Sequence, residues 1–106
     1  MKDQIPERDW KYLRSIQAEL LEELSRRSND AIKKIFDRHG VSEMEKRQLV
    51  YDSVHKFDKV VASCFDDWRR STILERCWAL QKHKLLKPEH VEHLDPMTQS
   101  WISMVP

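Results

Sequence analysis

One glycine in 106 residues sets the first limit on what this chain can fold into. Ordinary glycine content is about 7%. Glycine-rich phosphate loops, dinucleotide-binding turns and many-turned β-sandwiches all need glycine at fixed points, so a chain with only Gly40 is excluded from them. At this length the chain holds one domain, residues 1–106, able to bury roughly two-thirds of its unfolded surface.

Pro6, Gly40, Pro88, Pro96 and Pro106 leave two uninterrupted stretches, 7–39 and 41–87. Both are rich in Leu, Glu, Lys, Arg and Gln, and neither shows sustained apolar–polar alternation, so helices are expected and strands are not. The first helix is predicted over about 6–38, with Pro6 in its first turn. Its face is Trp10, Leu13, Leu20, Leu24, Ala31 and Ile35, widened by Leu21, Ile32 and Phe36. Gly40 is expected at the left-handed position closing this helix, as the one such turn the chain needs. Ser42 to Glu45 reads as a capping box that opens a second helix, about 43–70. Val50, Val54, Phe57, Val61, Cys64 and Trp68 form a coiled-coil-like seam on it. The seam loses phase at Ser71, Thr72 and Glu75, which implies a bend at about 69–72 or a continuous helix with a rotated face. A third helix is predicted at about 72–84. A short one at 88–93 starts at Pro88, and another at 96–103 starts from the Asp95–Pro96 cap. The fold class is therefore all-α: a long antiparallel hairpin, a third helix and short C-terminal helices. Helices this long on so small a chain imply a homodimer, two hairpins forming a four-helix bundle.

Charge is balanced overall, with 19 basic and 18 acidic residues and a net charge of +1. It is balanced locally too: nine basic and eight acidic groups over 1–40, six of each over 41–70, and four of each over 71–106. No segment carries the positive field that drives phosphate-backbone binding. Seven acid-before-base pairs fall at helical i,i+4 spacing, from Glu7–Lys11 and Glu23–Arg27 to Glu43–Arg47 and Asp66–Arg70. Much of the charge thus reads as solvated helix surface. No apolar run approaches 18 residues, so no membrane span is expected. Met1 to Trp10 lacks the apolar core of a signal peptide. Two cysteines, Cys64 and Cys77, make no disulfide framework, and the expected location is the cytoplasm.

Candidate chemistry is sparse. His90 and His93 lie three apart, one residue short of the metal-protease spacing, with His83 seven before His90. Glu-x-x-His, the carboxylate-bridged bundle pattern, is absent; Asp52-x-x-His55 comes nearest. No metal ligand set and no cofactor are predicted. Cys64 and Cys77 fall on apolar faces, where a thiol acts as a small hydrophobe. Lys82, His83, Lys84 and Lys87 form a small basic cluster at a predicted helix C-terminus, where cations are favoured.

Two segments stand out as partner-binding candidates. Asp66, Asp67, Trp68, Arg69 and Arg70 form the densest polar cluster, flanking a seam tryptophan, with Arg69 and Arg70 placed to fold back onto Asp66 one turn earlier. The tail from Met97 to Pro106 is uncharged, with Trp101, Ile102 and Met104 available to dock on the bundle, on a sister subunit or on another protein. The functional expectation is a small, non-enzymatic interaction or regulatory module that binds protein. The alternatives are nucleic-acid binding through the basic third helix and, behind that, a metal-binding bundle.

Overall fold

The computed structural model of the chain describes residues 5–104. Five helices run in order: α1 (Glu7–Phe36), α2 (Glu43–Phe65), α3 (Ile73–Lys82), α4 (Pro88–Val91) and α5 (Pro96–Ser103), with no strand among the described residues. The chain is all-α. α1 and α2 pack as an antiparallel hairpin that gives the molecule its 55 Å length. α3, α4 and α5 pack against one end of it.

Local chemistry accounts for the helix starts. Pro6 lies just outside α1, and its carbonyl accepts the Asp9 and Trp10 amides. Ser42 caps α2, its hydroxyl accepting the Glu45 amide at 3.1 Å while also donating to the Glu45 carboxylate. Asp95 caps α5 by accepting the Met97 amide at 3.0 Å, with Pro96 behind it as the spacing implies.

The helix ends differ from expectation. α1 stops at Phe36, and Asp37 is its cap residue, so Gly40 lies out in the connecting turn with φ +73° rather than at the helix terminus. Two other residues take up left-handed backbone, Asp67 (φ 56°) and Lys84 (φ 57°). Among the described residues there are therefore three such positions, with one glycine. Lys84 occupies the position glycine usually takes just beyond a helix, and the Leu85 and Leu86 amides both turn back onto the Leu80 carbonyl. α2 ends at Phe65, five residues before the predicted end. Asp66 is extended, so residues 66–72 form a loop and the break is longer than 69–72.

The core is built from Leu13, Ile16, Leu20 and Leu24 of α1, Cys64 of α2, and Ile73, Cys77 and Leu80 of α3. Leu85, Leu86, Leu94 and Ile102 close it from the C-terminal third. Core stripe and core volume do not coincide along the hairpin. Beyond Leu24, Ile35 is the one buried residue of α1, and before Cys64 none of α2 is buried.

One buried ionisable group joins the two ends of the fold. The Asp9 carboxylate, fully buried, accepts the Thr98 hydroxyl at 2.6 Å and the Asp95 amide at 3.2 Å. The first turn of α1 thus completes the N-terminus of α5, 86 residues away.

Removing that carboxylate leaves a buried hydroxyl and a helix-end amide without an acceptor. Asp9→Ala is expected to cost about 2–3 kcal/mol in urea denaturation. A double-mutant cycle with Thr98→Ala is expected to show coupling; strict additivity would contradict the bracket. Backbone handedness gives a second expectation. Gly40→Ala has open space around it but destabilises by about 1 kcal/mol through its positive φ, whereas Lys84→Gly stabilises by about 0.5–1 kcal/mol.

Candidate functional site

The polar cluster at 66–70 is a loop that locks α2 to its neighbours. Trp68 is half-buried and its indole N–H donates to the Cys64 carbonyl at 2.7 Å, satisfying an orphan acceptor in the last turn of α2. Its ring stacks on Phe65, with centroids 6.0 Å apart. The Asp66–Arg70 helical pair does not form, because the segment is not helical. Arg69 instead grips Asp67 with two bonds of 2.6 and 2.8 Å, holding that carboxyl below its usual range. Arg70 turns away to α1, donating to the Ile5 carbonyl at 2.8 Å and to Glu7 at 3.0 Å. Asp66, Asp67 and Arg69 are exposed.

The tail residues separate by role. Ile102 is fully buried in the core and presents nothing to a partner in this structure. Trp101 and Met104 face outward with Leu74 and Trp78 of α3, lining an apolar groove of about 380 Å³. The Trp78 indole donates to the Trp101 carbonyl at 3.1 Å and holds α5 against α3. The segment therefore docks on its own bundle as far as Met104; Val105 and Pro106 lie outside the described residues.

The histidines lie apart. His55 packs on Tyr51, and His93 stacks on Tyr12 at 4.7 Å. His90 accepts the Lys87 amide on Nδ1 at 3.0 Å, so its proton sits on Nε2, 3.1 Å from Glu19 Oε2. It clasps α4 to α1. No group of three or more His, Cys, Asp or Glu side chains gathers to hold a metal among the described residues.

Periodicity missed two arginine roles. Arg27 lies on the buried stripe of α1, between Leu24 and Ala31. Its guanidinium reaches across to the His83 and Lys84 carbonyls, at 2.7 and 3.0 Å, and caps the end of α3. Glu23 steadies it at 2.8 Å. Hydrogen bonds from Arg26 first, then Arg27, pull the Glu23 carboxyl down to about 2. Its contribution to stability is therefore present above the ordinary carboxylate range and is lost only as pH falls toward 2. Arg76 likewise donates to the Ser63 carbonyl at 2.8 Å, tying α3 to the end of α2.

Of the seven i,i+4 ion pairs anticipated from spacing, Glu23–Arg27 forms. Arg26 prefers Glu23 and Asp30, Lys46 rather than Arg47 takes Glu43, and Gln48 donates to Asp52.

Of the seven large hydrophobic side chains exposed among the described residues, five lie on the hairpin: Leu21, Phe36, Met44, Tyr51 and Val54. About 100° separates successive residues of a helix. On that wheel Leu21, Ile32 and Phe36 all lie to one rotational side of the buried stripe of α1. Val54, Tyr51 and Met44 lie to the same rotational side of the buried stripe of α2. In an antiparallel pair equal rotational sense places both flanks on one face. On the opposite flank, Glu19 and Arg27 of α1 and Ser63 of α2 carry α4, the end of α3 and Arg76. Phe36, Met44 and Tyr51 are 56%, 85% and 59% exposed, and Leu21 and Val54 are exposed beside them. Comparison of the chain with protein-family models, with curated proteins and with solved structures finds no match.

Neither thiol belongs to a reactive arrangement. Burial pushes Cys64 up from its ordinary value and Cys77 to about 12. A thiol reagent at pH 8 is therefore expected to leave both unmodified in the folded protein and to titrate two after denaturation. Rapid reaction of either in the native state would contradict this burial.

Proposed function

We propose that this chain is a non-enzymatic protein–protein interaction module of the cytoplasm, and that it binds through the uncovered face of the α1–α2 hairpin. The observation that carries the reading is the mismatch between helix length and core. α2 runs 23 residues and fully buries one side chain, Cys64, with Phe57, Val60, Val61 and Phe65 half-buried beside the core, while its apolar residues continue to the far end of the helix, where Met44, Tyr51 and Val54 are exposed. An isolated helix pair with so little burial has weak support in water, because most helical stability comes from packing an amphipathic face.

The exposed side chains are of the kind that interfaces use. Tyr51, Phe36 and Met44 belong to residue types enriched in interface cores. Aromatic side chains bury about 150–250 Å² each. The patch therefore amounts to several hundred Å², the size that marks functional surfaces on monomers. The Trp101 groove has part of its wall committed to holding α5 on α3. The cytoplasm is favoured by two buried unpaired thiols and by the absence, among the described helices, of any long and apolar enough to cross a membrane.

The test is native mass spectrometry of untagged protein made in its own host, beside a Tyr51→Glu/Val54→Glu variant. The wild type is expected to retain a protein partner, a second copy or a different chain, that the variant loses while keeping its helical circular dichroism. Identical species from both would refute the reading.

A further inference from the structure

Resting on that reading, we propose that the occupant of the uncovered face is a second copy of this chain. The two hairpins pack face to face about a two-fold axis that crosses the helices at the Asp52–Ser53 peptide of α2 and the Arg26–Arg27 peptide of α1.

In a two-fold interface the same patch meets itself, so residues equidistant from the axis face each other across it. With the axis in the interface plane and perpendicular to the helices, α2 lies antiparallel on α2 of the other copy, and α1 on α1. On the uncovered flank of α2, Tyr51 and Val54 are equidistant from the Asp52–Ser53 peptide. So are Arg47 and Asp58. This one level pairs an aromatic with a β-branched residue and a cation with an anion.

Arg47 and Asp58 are available for that contact. Both are exposed, and neither forms an ion pair within the described residues, since Lys46 takes the Glu43 carboxylate. A place for the apolar contact is also present. Arg47, Gln48, Val50 and Tyr51 frame a shallow hollow of about 470 Å³ on α2. The axis sets Val54 of the second copy over this hollow as a knob over a hole.

α1 supplies an independent check. The Asp52–Ser53 peptide lies as far beyond Glu43 as the Arg26–Arg27 peptide lies before Phe36. Taking the Phe36 and Glu43 ends as level across the connecting turn, the same rise per residue sets the two peptides at one height in the hairpin. About the α1 level, Leu21 is equidistant with Ile32, and Ser25 with Ser28. Apolar again meets apolar, and two small residues meet at the crossing, where the helices come closest. One axis thus satisfies both helices.

The extent fits as well. Overlap runs over residues 17–36 and 43–62, two helices wide and about 30 Å long. At about 10 Å per helix the footprint is roughly 600 Å², the order of the ~800 Å² per partner in specific interfaces. Residues 7–16, where Asp9 holds the start of α5, overhang beyond the turn of the second copy.

The test uses the full chain and a charge swap in trans, read by sedimentation equilibrium. The wild type is expected to form a dimer at micromolar concentration. Arg47→Asp places like charges opposite each other at two symmetric contacts, and Asp58→Arg does the same. Each alone is expected to weaken self-association about tenfold or more. Mixed together, the two variants recreate both opposite-charge contacts, and association is expected to return as a heterodimer. That recovery also shows that both variants are folded.

A wild type that stays at 12.8 kDa up to about 100 μM overturns the second copy. The face could then still hold a different protein in the native-mass experiment, so the two failures are distinguishable. A dimer that survives both single variants, or variants that do not recover on mixing, overturns this axis.

Discussion

Each of the three longest helices ends on a side chain supplied from elsewhere in the fold. The last carbonyls of an α-helix have no partner within it, and proteins usually close them with a left-handed glycine. This chain has one glycine and uses it in the turn between α1 and α2. The Phe36 carbonyl of α1 takes the Lys46 ammonium at 3.0 Å. The end of α2 takes the Trp68 indole and the Arg76 guanidinium, and the residues just beyond α3 take Arg27. Asp9 does the converse at the start of α5. Secondary structure and tertiary structure are therefore hard to separate here, because the caps are themselves the contacts between elements. The Arg70 bond to the Ile5 carbonyl adds a further tie between the loop after α2 and the beginning of the chain.

Local physics made part of this legible in the residues alone. The all-α class follows from helical spacing and from the missing glycine. Ser42 and Asp95 announce helix starts because an N-cap acts within three residues of itself. Leu13, Leu20, Leu24 and Ile35 are buried as their spacing implies. What could not be read depends on partners far away in sequence. Asp9 looks like an ordinary acidic residue in a first helical turn, and its partners lie 86 and 89 residues on. Arg27 occupies a core position on the wheel, a departure that signals a long-range acceptor, but nothing local identifies His83 and Lys84.

The second helix shows how a true pattern misleads. Trp68 falls on the seam of α2 by spacing and does pack near its end. It does so from a loop, with its indole folded back on the helix, because Asp66 and Asp67 leave helical backbone before it. Periodicity records which way a side chain faces and not whether the backbone beneath it is helical. For the same reason the ion pairs implied by spacing were mostly replaced. Exposed charges three and four apart compete for the same partners at differences of a few tenths of a kcal/mol, so Arg26 finds Glu23 and Asp30 while Arg47 forms no ion pair among the described residues. Of the tail residues singled out from composition, the groove gathers Trp101 and Met104, and the core absorbs Ile102.

Arg27 also marks a mechanical boundary. On its N-terminal side α1 runs beneath three further helices; on its other side two helices meet with Ile35 as their one buried residue. Amide protection in helices rises with the apolar surface that must be exposed for them to open. The two segments therefore differ in opening free energy, and the chain is built as a stable lobe carrying a softer arm. Any molecule that covers the arm, and in particular another arm, would raise its protection without touching the lobe, which couples the local stability of the far hairpin to protein concentration.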